Sequence, residues 1–246
     1  IGAMTPRLRN LMALALLPFF EFFRGTPHQA AAIKELEDAL PAELLAEDAA
    51  WFDAWKASGI AQRAFVPYVH QLNFERNGYR RCLDASAAML ALMYGKVKSA
   101  EEYGEVRKRF GDTTDVRAQV RTLRELGLHA EFRNDADGAL VEAEIASGRP
   151  VMVGWLHQGN MLRGEPPVCS ELTCGHWSVI VGFEGTESTG DAQWVMHDPM
   201  GAPRIERGGH ETRYGGKNVK VPRGTFKQRW QVEGPSSGWV ILVDDE

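Results

Sequence analysis

The sequence predicts an α+β fold, because its candidate helices precede its candidate strands. Helices with recognisable ends occupy the first 150 residues, whereas strand-length runs rich in Val, Ile and Trp follow Pro150. This segregation is typical of α+β folds and differs from the alternation expected of a wound parallel sheet. The chain has 246 residues, 44% of them hydrophobic and 25% charged, so its core needs no metal or disulfide to be stable.

Residues 4–60 are predicted to form a helical N-terminal segment or a small accessory domain. Arg7 and Arg9 precede an apolar run at 11–20, which has the outline of a signal peptide but is too short to cross a bilayer as a helix. Pro18 interrupts the run, and no small-residue cleavage site follows it. We expect a packed amphipathic helix here, with a targeting or membrane-contacting segment as the alternative.

A single domain of catalytic size is predicted over residues 64–246. It opens with a short strand and a polar loop, and these lead to a helix that is apolar on nearly every side and therefore buried. A strand is predicted at 64–69 and a loop at 73–81. Three helices follow, at 83–94, at 113–126 with its N-cap within 113–115, and at 142–147. The later strands are predicted at 151–156, 177–183, 194–197 and 239–243.

Cys82 lies where the polar loop meets the start of the buried helix. Free backbone amides and the positive end of the helix macrodipole stabilise a thiolate at such a position. A cysteine with a lowered pKa is a nucleophile. The alternative is a small, inert core residue, and position alone leaves both interpretations open.

His176 opens one predicted strand, and Asp198 directly follows another. If these strands are adjacent and antiparallel, Asp198 lies against one nitrogen of His176 and the other nitrogen can face a thiol. Nucleophile, base and orienting carboxylate in this order form the general triad arrangement. Gln71 can donate an amide hydrogen to a developing oxyanion, together with the backbone N–H of Cys82.

Five sequence blocks carry a family resemblance. They are Val66-Pro67-Tyr68 with Gln71, Cys82-Leu83-Asp84-Ala85-Ser86-Ala87-Ala88-Met89, Gly148-Arg149-Pro150-Val151-Met152-Val153, Gly175-His176-Trp177-Ser178-Val179-Ile180-Val181-Gly182 and His197-Asp198-Pro199-Met200-Gly201. In order and spacing they resemble the cysteine peptidases typified by bacteriocin-processing, double-glycine leader peptidases. The resemblance implies a papain-like fold and a cysteine-type peptidase that needs no cofactor or metal. It also implies Cys82 as nucleophile, His176 as base, Asp198 as its orienting partner and Gln71 as oxyanion donor.

The helical lead-in at 39–45 and the tail at 230–239 resemble those of phage-encoded members, some of which are regarded as lysis enzymes. We therefore expect an endolysin that cleaves peptides of bacterial peptidoglycan, made in the host cytoplasm and acting at the cell wall. A peptidase that processes a specific protein or leader peptide is an alternative. So is an amidase or acyltransferase, because the triad fixes acyl chemistry but not the acceptor. A non-catalytic binding module of this fold is a further alternative.

Charge and cysteine content limit the partners. The net charge of −5 argues against non-specific nucleic-acid binding and gives no support for attraction to anionic walls or membranes. Three cysteines are too few for a disulfide framework. Cys169 and Cys174 could bind a metal with His176 and either His157 or His197, could form a local disulfide, or could be free thiols.

Overall fold

A computed structural model of the chain describes residues 62–64, 66–73, 78–167, 175–185, 190–211 and 215–245. The predicted helical segment at 4–60 lies outside these ranges, as do Cys169 and Cys174, so the hypotheses about them stay predictions. Within the described ranges, no helix is both long enough and apolar enough to cross a membrane.

The described residues form five α-helices, of which the first is the predicted buried helix. Every residue from Leu83 to Ala91 in this helix is buried, as expected for a segment that is apolar all round. The helices are Cys82–Met93 (α1), Ala100–Arg107 (α2), Val116–Glu125 (α3), Gly138–Ala146 (α4) and Arg223–Trp230 (α5). Short 3₁₀ turns lie at Gln71–Asn73, Gly78–Arg80 and Met161–Arg163.

Side-chain caps mark where three of these helices begin, the first being α2, where Ser99 accepts a hydrogen bond of 3.2 Å from the N–H of Glu102. Helix α3 starts at the predicted cap, where the Asp115 carboxylate accepts a hydrogen bond of 2.8 Å from the N–H of Arg117. Helix α4 begins four residues before the predicted start at 142, because Asp137 accepts a hydrogen bond of 2.9 Å from the N–H of Leu140 and so caps an earlier turn.

The described strands form one antiparallel sheet, which confirms the α+β class. In sequence they are Gln62–Arg63 (β1), His129–Ala136 (β2), Val151–Leu156 (β3), Gly175–Glu184 (β4), Gln193–His197 (β5), Val219–Pro222 (β6) and Gly238–Asp244 (β7). Their order across the sheet is β2-β7-β3-β4-β5-β6, and β1 pairs with β4. Val179 of β4 lies opposite His197 of β5, so the start of β4 and the residue after β5 meet at one end of the sheet.

Hydrophobic clusters cover both faces of the sheet. One contains α1 with the inward side chains of Met152, Val179 and Ile241, and the other contains residues of α4 and α5 with Ile180 and Val240. Successive strand residues therefore pack into the clusters on opposite faces of the sheet, as the two-residue period of a strand requires. The N-terminal end of α1 is anchored by this packing rather than by a surface loop.

The structure corrects one predicted element and adds four. The strand predicted at 64–69 is wrong: strand β1 is Gln62–Arg63, and after Ala64 donates to the carbonyl of Val181 (2.6 Å) the chain leaves the ladder. Pro67 has no N–H with which to continue it. Helices α2 and α5 and strands β2 and β6 were not predicted. Helix α2 is short and rich in Glu, and α5 is short and rich in basic residues. Strand β2 is an edge strand whose exposed polar residues hide the alternation, and β6 at the other edge has only four residues.

Candidate active site

Cys82 is the first residue of α1, and its half-buried thiol is free. The Gly78–Arg80 turn and Arg81 precede it, so the thiol lies at the helix end where backbone N–H groups have no partner within the helix. Because α1 is embedded in the core, packing fixes this position. The structure therefore has Cys82 at the predicted position, at the start of the buried helix.

His176 and Asp198 are brought together by the predicted pairing of neighbouring strands. Nε2 of His176 lies 3.0 Å from each carboxylate oxygen of Asp198. An ionised carboxylate only accepts hydrogen bonds, so Nε2 carries the hydrogen. Nδ1 is then the nitrogen available to Cys82, whose thiol interacts with the same imidazole and helps to raise its pKa. Thiol, imidazole and carboxylate therefore stand in series.

Four donors surround the carboxylate of Asp198, which is fully buried. Besides His176, Oγ of Ser178 donates at 2.9 Å, the backbone N–H of Met200 donates at 2.8 Å, and Nε2 of His210 lies at 3.2 Å. An ionised carboxylate offers about four acceptor sites. The donors match that number, so Asp198 is held in one orientation despite its burial.

The electrostatics of the site favour an ionised His176–Asp198 pair. Burial by itself lowers the pKa of His176, but the Asp198 carboxylate and Cys82 together outweigh burial and raise that pKa to about 10. Burial would likewise raise the pKa of Asp198, but His176 and then His210 hold it well below its ordinary value. Burial lowers the pKa of His210, although its hydrogen bond to Asp198 opposes the shift.

Gln71 is held beside the loop that follows Asp198. Its backbone N–H donates to the carbonyl of Pro199 at 2.9 Å, and its side chain is fully buried. One hydrogen on Nε2 is donated to the carbonyl of Gly78 at 2.8 Å, which closes the loop before α1. The second amide hydrogen is the one that an oxyanion can use.

Gln71→Ala is expected to lower kcat by about 10²–10³-fold, because removing one preorganised oxyanion donor has a cost of that size. Gln71→Glu keeps the shape of the side chain but loses the amide hydrogens, so we expect a similar loss. Turnover of a saturating peptide substrate measures both effects, and the melting temperature checks folding. Unchanged kcat in both variants would assign the oxyanion donor to another group.

Three further side chains lie at the site: Ser178 and His210, which were not predicted, and His157, which was considered only as a metal ligand. Ser178 lies two residues after His176 in β4 and therefore on the same face, a spacing that could have indicated it. His157 stacks against His176 with ring centroids 5.4 Å apart, and His210 is 4.6 Å from His176. Both come from irregular loops, whose path no residue periodicity indicates. Trp155 backs the group, its ring centroid 5.3 Å from that of His176.

The metal set considered from the sequence is only partly assembled in the described residues. His157 and His176 lie together, but His197 has a structural role. Its Nε2 donates to the carbonyl of Val66 at 2.9 Å, and its Nδ1 accepts from the N–H of Asn218 at 3.1 Å. Both nitrogens of His197 are therefore engaged by the main chain.

An apolar cavity of about 260 Å³ adjoins His176. The tryptophans Trp177, Trp230 and Trp239 contribute to its walls, and 44% of Trp239 is exposed. Glu233 also lines it. A cavity of this kind next to the proton-transfer group is suited to an apolar side chain of a bound peptide.

Comparison with known proteins identifies the family. The model of the Peptidase_C39 like family matches residues 64–237. Similar solved structures include a double-glycine-motif protease from an AMS/PCAT transporter, in complex with the leader peptide (19% identity, 74% of this chain and 92% of that chain, TM-score 0.42). The peptidase domain of Streptococcus ComA is also similar (18% identity, 68% of this chain and 93% of that chain, TM-score 0.43). So is a C39-like peptidase from Bacillus anthracis (14% identity, 73% of this chain and 94% of that chain, TM-score 0.47). No curated protein is significantly similar in sequence.

The family model spans well over half of the chain and contains all five blocks on which the resemblance depends. The expected family, the papain-like α+β fold and the cysteine-type peptidase class are thereby confirmed. The chain belongs to the Peptidase_C39 like family of cysteine peptidases.

Proposed function

We propose that this peptidase hydrolyses peptide bonds with Cys82 as nucleophile, His176 as general base and acid, and Asp198 as the group that orients His176. The observation that carries the proposal is the hydrogen-bonded pair of His176 and the buried Asp198 carboxylate, together with the interaction of the Cys82 thiol with the same imidazole. Each member is held by a different element, so the series depends on the tertiary fold rather than on local sequence.

In the acylation step, Nδ1 of His176 first takes the proton of the Cys82 thiol, which leaves a thiolate and an imidazolium. The Cys82 sulfur attacks the carbonyl carbon of the substrate and forms a tetrahedral intermediate, in which the carbonyl oxygen has become an oxyanion. The backbone N–H of Cys82 and the amide of Gln71 stabilise that oxyanion. The C–N bond then breaks, and the imidazolium of His176 donates its proton to the leaving amine.

Deacylation repeats these steps with water. Nδ1 of His176 takes a proton from water as the oxygen attacks the thioester, and the proton returns to Cys82 when the C–S bond breaks. The products are a free carboxylate and a regenerated thiol. Throughout, Asp198 keeps the Nε2 hydrogen of His176 in place, so that Nδ1 is always the nitrogen that exchanges protons.

The substrate that the geometry favours is a polypeptide segment with an apolar side chain near the scissile bond. The cavity walled by Trp177, Trp230 and Trp239 lies next to His176 and would bury such a side chain. This supports a peptidase that processes a protein or leader peptide over a cell-wall enzyme. The similar protease from an AMS/PCAT transporter was solved with a leader peptide, which supports the same order.

A peptidoglycan endopeptidase is the second candidate. It is favoured by the lead-in at 39–45 and the tail at 230–239, which resemble those of phage-encoded members. In that case the substrate is a stem or cross-bridge peptide, and the reaction supports cell lysis. An amidase would use the same residues to release the stem peptide from the sugar.

Mass spectrometry of two substrates tests these proposals. A peptide library prepared from a digested proteome and purified peptidoglycan are each incubated with the wild type and with Cys82→Ala. A variant with both Cys169→Ala and Cys174→Ala is the matched thiol control, since it retains Cys82 alone. We expect new peptide termini from the wild type and from the control, with apolar residues enriched near the cut.

New ends only within stem peptides would favour the endopeptidase of peptidoglycan instead, and stems freed from sugar would indicate an amidase. Cleavage that persists in Cys82→Ala would contradict the role of Cys82. Folded wild type that cleaves neither substrate and whose Cys82 alkylates no faster than an ordinary thiol would favour the binding-module alternative.

A further inference from the structure

Three histidine rings from separate parts of the chain meet at the candidate active site. His157 follows β3, His176 lies in β4, and His210 belongs to the loop between β5 and β6. One ring nitrogen from each lies within 4.8 Å of the other two. The proposed hydrolysis uses only His176 as base, so this cluster is larger than the peptidase chemistry requires.

Asp198 fixes the tautomer of two of these rings. Nε2 of His176 is 3.0 Å from Oδ1 of Asp198, and Nε2 of His210 is 3.2 Å from the same oxygen. Each Nε2 must carry its hydrogen, and Nδ1 of each neutral ring then presents a lone pair. A carboxylate behind an imidazole is the outer-shell arrangement that orients metal-binding histidines and raises their basicity. Here one carboxylate serves two rings.

The spacing of the nitrogens is close to that of a tetrahedral zinc site. Zinc–nitrogen bonds of about 2.0–2.1 Å separate ligand nitrogens by roughly 3.3 Å, so each pair must close by no more than about 1.5 Å. His157 is half-buried, whereas the His210 side chain is 7% exposed and held by Asp198, so most of this closure falls to the ring of His157. The Cys82 thiol interacts with the imidazole of His176 but lies outside the three-histidine group, so it becomes the soft fourth donor by turning toward the bound ion.

The loops that carry the outer two histidines are joined to each other and to the core. The guanidinium of Arg229 donates to the carbonyls of Gln158 and Gly159, both at 2.6 Å, and thereby holds the loop after His157. The N–H of Gly209 donates to the carbonyl of His157 at 2.6 Å, which places His210 next to that loop. A ligand set supported in this way is preorganised.

We propose that His157, His176 and His210 bind a zinc ion with the Cys82 thiolate as fourth ligand, and that this ion reversibly blocks the active site. Binding displaces the protons from Cys82 and from the ring nitrogens to solvent. With zinc in place, His176 has no lone pair to act as base, and the Cys82 sulfur is not available to attack a carbonyl. The inhibition rests on the proposed function, whereas the binding does not.

Zinc binding and its effect on Cys82 are measured on the full chain without substrate. Zn²⁺ is titrated against a chromogenic chelator, Co²⁺ replaces it for absorption spectroscopy, and iodoacetamide reports the reactivity of Cys82. The variants are His157→Ala and the volume-preserving His157→Gln. His129→Ala, which removes an exposed histidine paired with Asp244 at the edge of the sheet, is the control.

We expect one zinc ion per chain. The affinity for zinc should fall by at least about 100-fold in both His157 variants, because the loss of an outer-shell partner alone typically costs about 10–100-fold in metal affinity. The control should bind as the wild type does. Co²⁺ should give the visible bands of a tetrahedral site and a thiolate-to-cobalt band, and Zn²⁺ should slow alkylation of Cys82 until EDTA is added.

Equal zinc affinity in the His157 variants and the wild type would overturn the three-histidine site, as would the absence of binding. The blocking role would be overturned if zinc bound without slowing the alkylation of Cys82 and if the cobalt spectrum had no thiolate-to-cobalt band. A metal-free protein that binds zinc as expected but cleaves no peptide would contradict the proposed function alone, so the two failures are distinguishable.

Discussion

Asp198→Asn is expected to reduce kcat by about 10³–10⁴-fold in a protein that still folds, since the same change in a Ser–His–Asp triad costs about 10⁴-fold. Asparagine preserves the size of the side chain but removes its charge. The imidazolium of His176 then loses the carboxylate that raises its pKa, and an amide NH₂ turned toward Nε2 would stabilise the wrong tautomer. Because Asp198 has four donors and no exposure, water cannot substitute for it.

Two measurements separate this effect from general destabilisation. The first is kcat on the peptide that the wild type cleaves fastest, and the second is the rate at which iodoacetamide alkylates Cys82 near neutral pH. Asp135→Asn removes an exposed carboxylate that pairs with Arg133 in β2 and is the matched control. If Asp198→Asn retained both wild-type rates, Asp198 would not be the orienting group.

Asp84→Ala is expected to lower the free energy of unfolding by about 3–5 kcal/mol, the usual cost of leaving a buried charge without its partner. Asp84 is fully buried in α1 and accepts from Nε of Arg107 at 2.9 Å, from Arg81 at 3.2 Å and from Gln119 at 3.3 Å. Arg107 is itself only 4% exposed, so the substitution would strand its guanidinium in the core.

Denaturant unfolding measures this loss, and Glu105→Ala is the control on the same layer of helices. Glu105 pairs with Lys108 on the surface of α2, with 71% of its side chain exposed, so its removal should leave the unfolding midpoint close to that of the wild type. A loss below about 1 kcal/mol for Asp84→Ala would mean that the core rearranges around Arg107. The double variant Asp84→Leu/Arg107→Met should recover much of the stability, because neither charge then remains buried.

The parts of the site that sequence could predict are those attached to regular elements. Cys82 was identifiable because a polar loop gives way there to a helix that is apolar all round. His176 and Asp198 were identifiable because each stands at the end of a β-rich run, and antiparallel pairing brings such ends together. The periodicity of helices and strands therefore located the candidate side chains and predicted the α+β class, whereas the family resemblance implied their roles.

The parts that could not be predicted depend on long-range contacts that have no local signal. His210 reaches Asp198 from an irregular loop, and His157 is placed by contacts with that loop. The ionic group around Asp84 joins α1, α2 and α3, yet its members look like ordinary surface charges in the sequence. Strand β2 was not predicted for a related reason: an edge strand retains polar residues on its open side, and these mask the alternation of apolar and polar residues.

The clamp made by Arg229 has a consequence for how relatives of this protein can diverge. Its guanidinium donates to main-chain carbonyls of Leu156, Gln158, Gly159 and Ile205, and every residue type provides such a carbonyl. The course of these loops is thus independent of the side chains at 156 and 158. Evolution can exchange those side chains, and with them the surface offered to a substrate, while one arginine preserves the path of the chain.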